Sequence, residues 1–232
     1  MQIKRKSETI RFFDDKSSIW DKNYLDKKNP IAKRSKYFYE HIKSFSDKNL
    51  KILDVGCGTG DISAYLYDKG NYLTSLDVSK LMLEKASSRF SDKNIKWIEI
   101  EESGNLPLES SMFDTVIISS VLEYHKNPKL LISESYRVLK KNGLLIFTVP
   151  DMRHPIRIKE EKLRFLSKFP FWLFIKFTKY HDFYKTIKIS KNRMPLNDWI
   201  LLTESFGFKC EFDEIISEPL KYISALKKSV GD

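Results

Sequence analysis

The sequence has little cysteine: Cys57 and Cys210 are the only two in 232 residues. Two thiols are too few for a disulfide framework or a cysteine-built zinc site, so both are expected to be reduced and no metal centre is expected. Long apolar runs are also missing. None reaches the ~18 residues that cross a bilayer, and the basic N-terminus MQIKRKSETIRFF has no apolar core of a secretory signal. A cytoplasmic location is expected, with peripheral contact at the inner membrane face left open. Glycine is scarce too, at 8 residues, yet Gly56, Gly58 and Gly60 stand at alternate positions in the single stretch LDVGCGTGD.

What is present is the balance of a globular protein, 41% hydrophobic and 31% charged, long enough to bury a full core. The formal charge of +10 is unevenly placed. Residues 151–195 hold 12 of the 41 Lys and Arg but only 4 of the 31 Asp and Glu. The same segment carries nine aromatics from Phe165 to Tyr184, interleaved with lysines. A connection of this length inside a domain is expected to be an inserted lid. Three partners suit its chemistry: a phosphorylated acceptor, a lipid-linked acceptor at an anionic membrane surface, or RNA. No separate RNA-binding module is visible, so nucleic acid is the least favoured.

From Lys51 onward, short β-branched runs alternate with helical patterns, the mark of βαβ units around a parallel sheet. KILDV, NYLTSLDV, IKWIEI, FDTVIISSV and GLLIFTVP read as successive strands. DISAYLYDKG is read as a helix closed by Gly70, SKLMLEKASSRF as a helix capped by Ser79, and NPKLLISESYRVLKK as a helix with Pro128 in its first turn. After the helix PLNDWILLTESFG, the strands FKCEFDEI and YISALKK are joined by a turn too short for a crossover, so they should be antiparallel. Residues 1–50 read as a helical extension with aromatic anchors at Phe12, Phe13, Trp20, Tyr24 and Tyr37, ahead of a single domain over 51–232.

Glycines between a strand and a helix let a ligand approach the backbone closely. A dinucleotide fingerprint would need a third glycine at position 61, where this chain has Asp61. With Asp54 at the strand end, the loop should repel a pyrophosphate and attract an ammonium. Asp77 ends the second strand 23 residues after Asp54, where folds of this kind hold a ribose with free hydroxyls. A phosphate-free sulfonium nucleoside, S-adenosylmethionine, fits both features.

DVGCGTG, LDVSKLML, GNLPLESSMFDTVIISSVLEY and RVLKKNGLLIFTVP together resemble the successive motifs of class I S-adenosylmethionine-dependent methyltransferases, in the branch that includes ubiquinone-type and small-molecule enzymes. The resemblance covers residues 51–150 and implies a Rossmann-like, doubly wound α/β fold. It implies a seven-stranded sheet of order 3-2-1-4-5-7-6 with strand 7 antiparallel. By position it places Gly56, Cys57, Gly58 and Gly60 on the methionine part, Asp77 on the ribose, and Val78 with Met82 on the adenine face. It also places Glu102 and Ser103 beside adenine, Ser119 near the ammonium, and Arg34 of NPIAKR at the cofactor carboxylate.

Methyl transfer needs alignment of a nucleophile and, for a hydroxyl, removal of its proton. Histidine is the usual base. His125 follows strand four, His154 follows strand five, and His181 lies in the insertion; they are ranked in that order. The expected reaction is O-methylation of a small acceptor such as a glycan precursor or lipid-pathway intermediate. N-methylation of a small amine and a non-catalytic cofactor-binding subunit are the alternatives.

Overall fold

The computed structural model describes residues 6–20, 30–46, 48–166, 181–213 and 219–228. Two helices lead, α1 (Glu8–Trp20) and α2 (Pro30–Phe45). The alternating part follows as β1 (Lys51–Val55), α3 (Asp61–Tyr67), β2 (Tyr72–Asp77), α4 (Lys80–Arg89), β3 (Lys96–Glu99), β4 (Phe113–Ile118), α5 (Pro128–Val138) and β5 (Leu139–Pro150). Then come α6 (Pro155–Leu166), α7 (His181–Ile189), α8 (Leu196–Glu204), β6 (Phe208–Asp213) and β7 (Leu220–Lys227).

The seven strands lie in the order β3-β2-β1-β4-β5-β7-β6. β1 pairs in parallel with β2 and β4, while β7 runs antiparallel to both β5 and β6, as the short final turn requires. The central strands are covered on both faces, so they read as continuous apolar runs rather than alternating ones. Leu53, Val116, Leu145 and Phe147 face one layer with Trp199 of α8, and Ile52, Ile117 and Ile146 face the other with Phe38 of α2.

Local chemistry sets the helix starts. Ser79 accepts a hydrogen bond from Met82 N, and Asn127 accepts one from Leu130 N with Pro128 in the first turn. α5 stops at Val138, earlier than its sequence pattern suggests, because Leu139 is buried and pairs with Phe113 at the start of β5. α3 ends with Asp68 as its C-cap, and Gly70 takes a left-handed turn two residues further on.

The N-terminal helices are docked onto the domain. Phe38 is fully buried, and the Tyr37 ring lies 4.4 Å from that of Tyr222. On the other side, α1 is tied to the loop after β2 by Ser79 Oγ, which donates to Asp14 at 2.5 Å. Lys188 of α7 reaches Glu8 at 2.8 Å, so α1 also touches the basic insertion. Of that insertion, 167–180 lie outside the described residues. Tyr24 of the N-terminal extension also lies outside them, and so does the side chain of Trp20.

Candidate active site

A cavity of about 630 Å³ opens at the carboxyl ends of β1, β2 and β4, a size usual for a small-ligand site. The glycine loop forms its floor, and each glycine is there for its own reason. A Cβ on Gly56 would come within 2.2 Å of Val121, and one on Gly60 within 2.5 Å of the Trp97 ring. Those two positions allow the loop to pack against protein. Gly58 differs: it lines the cavity at φ +54, and a Cβ there would meet nothing within 4 Å. That space is open to a ligand.

The loop donors decide which kind of ligand fits. Gly56 N and Cys57 N both donate to Leu76 O, at 2.7 and 2.9 Å, and Gly60 N donates to Cys57 O at 3.0 Å. Gly58 N donates to Asp77 Oδ2 at 2.8 Å. A phosphate-binding loop would aim such groups at the anion. Here they are engaged within the protein, and a carboxylate stands in front of them.

Asp77 is buried yet lines the cavity, its second oxygen accepting from Ser79 N at 2.8 Å. Burial raises its carboxyl above the ordinary range, and the N–H bonds from Ser79 and Gly58 work against that rise. Val78 and Met82 give the cavity an apolar wall beside it. Cys57 also lines it, but burial pushes its thiol well above the usual value, which leaves it an inert small side chain.

Glu102, Ser119 and Arg34 line the same cavity. Glu102 accepts from Ser7 Oγ of the α1 end at 3.0 Å and pairs with Lys126 at 2.5 Å. Arg34 reaches across from α2 to donate to Ser120 Oγ at 3.2 Å. Ser120 itself sits at φ 56, a bend that turns the chain after β4 over the cavity. α1 adds Thr9 and Phe13 to the lining. Phe13 meets Tyr124 edge-on with centroids 5.4 Å apart.

Three residues ranked from sequence for the cofactor stand behind the lining. Asp54 is 1% exposed and accepts from Ser63 Oγ at 2.6 Å, with Ser75 Oγ donating in turn to Ser63 at 2.9 Å. Burial holds its carboxyl up at about 7, against the pull of the Ser63 bond. Gly60 packs on Trp97, and Ser103 belongs to the turn before Asn105, whose N–H it accepts. Asp61 does line the cavity, but its charge is met by a two-pronged Arg89 pair at 2.8 and 3.0 Å. The electrostatic case against a pyrophosphate therefore rests on Asp77, not on Asp54 or on Asp61 and Glu102, whose charges Arg89 and Lys126 meet.

The far wall comes from the loop after β4 and from α6. Glu123, Tyr124, His125 and Arg157 all line it. His125 Nδ1 accepts from Asn127 N at 3.0 Å, which fixes the proton of the neutral ring on Nε2. Burial lowers its pKa, so the neutral ring is favoured. Its basic nitrogen is occupied, and Nε2 presents a donor. His154 lies outside the cavity lining, its Nδ1 accepting from Ile156 N at the start of α6. The side chain of His181 is outside the described residues.

Glu123 is 2% exposed and accepts from Ser190 Oγ at 2.8 Å. Arg157 lies 3.7 Å from it and 3.0 Å from Glu160, while Arg193 pairs with Glu160 at 2.6 Å. Burial works against the Arg157 charge, and Glu123 with Glu160 more than restore it. Burial also raises the Tyr124 hydroxyl, with Glu123 adding to it, so the phenol stays protonated. Sequence reasoning passed over Glu123. The available signal was a carboxylate in the loop that follows the fourth strand, in SSVLEYH.

Residues 53–147 match the family model of a methyltransferase domain. The chain is 34% identical over 127 residues to malonyl-[acyl-carrier protein] O-methyltransferase of Enterobacter lignolyticus, covering 51% of this chain and 49% of that protein. It is 31% identical over 152 residues to ubiquinone biosynthesis O-methyltransferase of Pelagibacter ubique, covering 60% and 62%. The chain thus spans about half to three-fifths of the length of these curated relatives. Its fold matches magnesium protoporphyrin IX methyltransferase from Synechocystis, solved with bound SAH, at a TM-score of 0.67 and 15% identity over 95% of this chain and 98% of that one.

Proposed function

We propose that the chain is a class I S-adenosylmethionine-dependent methyltransferase, a reading supported by the methyltransferase-domain match over residues 53–147 and by the two relatives, and that it transfers a methyl group from this cofactor to an oxygen of a small acceptor. A sugar or glycan precursor and a lipid-pathway intermediate are the acceptor classes we favour. The observation that carries the reading is the cavity itself. Its loop donors are consumed internally, an acidic side chain fronts them, and the bare Gly58 opens into it.

S-adenosylmethionine supplies a methyl already activated on a sulfonium. The residues suited to hold it are Asp77 for the ribose hydroxyls, Val78 and Met82 for the base, Glu102 beside the base, and Gly56, Gly58, Ser119 and Arg34 for the amino-acid end. The task left to the protein is to align the acceptor and exclude water. α1 serves the second purpose by laying Phe13 over Tyr124.

On the acceptor wall we assign the proton-accepting role to Glu123 and a hydrogen-bond donor role to His125 Nε2, because His125 Nδ1 already accepts from Asn127 N. This differs from the ranking by residue type, which puts His125 first as base. The two assignments separate cleanly. Glu123→Gln should lower kcat by roughly 100-fold or more while cofactor affinity holds, and His125→Gln, which keeps a donor, should cost less than tenfold. The opposite order returns the base to His125.

The O-methyl assignment leans on the names of the two relatives, both O-methyltransferases. A second reading, transfer to a small amine, is favoured by Glu123, since a buried carboxylate on the acceptor wall would attract an ammonium. Incubating the purified chain with methyl-labelled cofactor and matched hydroxyl and amine acceptor panels decides between them. Calorimetry with S-adenosylmethionine or its demethylated product tests the common premise. No heat of binding at millimolar ligand would end the proposal.

A further inference from the structure

The polarity of α6 is inverted. Its inward face carries charge: Arg157 and Glu160 are 9% and 6% exposed and are held in the network with Glu123 and Arg193. Its outward face carries apolar side chains, with Ile158 43% and Phe165 76% exposed. A surface helix normally does the reverse.

The outward residues form a line. Ile158, Lys162 and Phe165 are spaced i, i+4 and i+7 on one face, and Lys159 flanks it. Lys159 and Lys162 are exposed, whereas the neighbouring Glu161 is turned aside onto Arg193 at 2.5 Å. Apolar groups next to cations, with Glu160 buried and Glu161 paired to Arg193, describe a surface for an anionic partner.

We propose that this face of α6 docks onto an anionic phospholipid surface. The apolar side chains would enter the boundary between head groups and acyl chains, and the lysines would keep their charges at the head groups while their stems lie along apolar surface. A second copy of the chain is a poor occupant, because a two-fold interface would set Lys159 and Lys162 against their own counterparts. The opposite face of α6 supplies Arg157 to the cavity wall, so a membrane on the outer face lies beside the acceptor half of the cavity. The use of the contact, access to a lipid-borne acceptor, rests on the methyltransferase reading; the contact itself does not.

The test is co-sedimentation of the full chain with phosphatidylcholine vesicles, with and without phosphatidylglycerol, at low and high salt. Binding should require phosphatidylglycerol and weaken with salt. Each basic residue near such a surface contributes on the order of 1 kcal/mol, so Lys159→Gln with Lys162→Gln should weaken binding by roughly 30-fold. Ile158→Ser with Phe165→Ser should abolish the salt-resistant part. Lys80→Gln with Lys96→Gln, on the far side of the sheet order at α4 and β3, should leave it unchanged.

Calorimetric uptake of S-adenosylmethionine by every variant keeps a folding defect, or failure of the enzymatic reading, distinct from loss of docking. The proposal is overturned by no sedimentation at low salt, by equal binding to neutral vesicles, or by α6 variants that bind like wild type. A concentration-dependent dimer, or a complex with an acidic protein, that is lost in Ile158→Ser with Phe165→Ser while vesicles do not bind overturns it too.

Discussion

Replacing Asp54 with Asn should make the protein more stable at neutral and alkaline pH. Asp54 is 1% exposed, and burial lifts its carboxyl from the ordinary 3.8 to about 7. The native state therefore holds this proton over a range where the unfolded chain has released it. Stability from this group is full below about pH 4 and is lost as pH rises toward 7. A shift of about 3 units corresponds to about 4 kcal/mol between those limits. Asn keeps an oxygen for the Ser63 hydroxyl and has no proton to lose. Urea unfolding of both proteins between pH 4 and 8.5 should give curves that agree at the acid end and separate by about 2–4 kcal/mol at the alkaline end, in favour of Asn. A difference that stays flat across this range would refute the buried-carboxylate argument. The same variant reports on function: because Asp54 does not line the cavity, its cofactor affinity should move less than threefold, while Asp77→Asn should lose at least tenfold.

The glycine loop offers a paired test. Gly60→Ala drives a methyl into the Trp97 ring at a left-handed position, so it should lower the thermal midpoint by several degrees, and its loss of binding should follow from loss of structure. Gly58→Ala has room for its methyl and should cost only about 1–2 kcal/mol of backbone strain, yet it fills ligand space and should weaken S-adenosylmethionine binding by tenfold or more in calorimetry. Binding to Gly58→Ala that matches wild type would remove Gly58 from the site. For His125, whose pKa burial lowers, the native ring resists a proton that the unfolded chain accepts below about pH 6.5. Calorimetric unfolding should show stability falling as pH drops through that region, with a shallower fall in His125→Gln.

The largely parallel sheet and its reversed last strand were legible because most strands are apolar runs joined by helix-length connections, except the last, which is short and so reverses the chain; the strand order itself was implied only by the family resemblance. The carboxylate of Asp77 was legible for a similar reason: the end of β2 has to face the glycine loop that ends β1. The role of Asp54 was not. Its position in the motif matches Asp77 in kind, but the strand turns its side chain back toward Ser63, and no pattern in the sequence records that turn. Glu123 was missed because a single acidic residue after a strand is common. It gains meaning only when Ser190 and Arg157, distant in sequence, are brought against it.

By itself the sequence determined what local rules fix: the alternating elements, the cap at Ser79, Pro128 in the first turn of α5, the three-glycine turn and the carboxylate at the end of β2. Tertiary structure decided which of those groups face the cavity. It consumed the loop donors internally, turned Asp54 away, occupied the basic nitrogen of His125 and buried the charged face of α6 while leaving its apolar face outside. The physical reason is that spacing along a chain sets which side of an element a residue occupies, whereas burial, hydrogen-bond partners and pKa depend on what distant segments bring to that side.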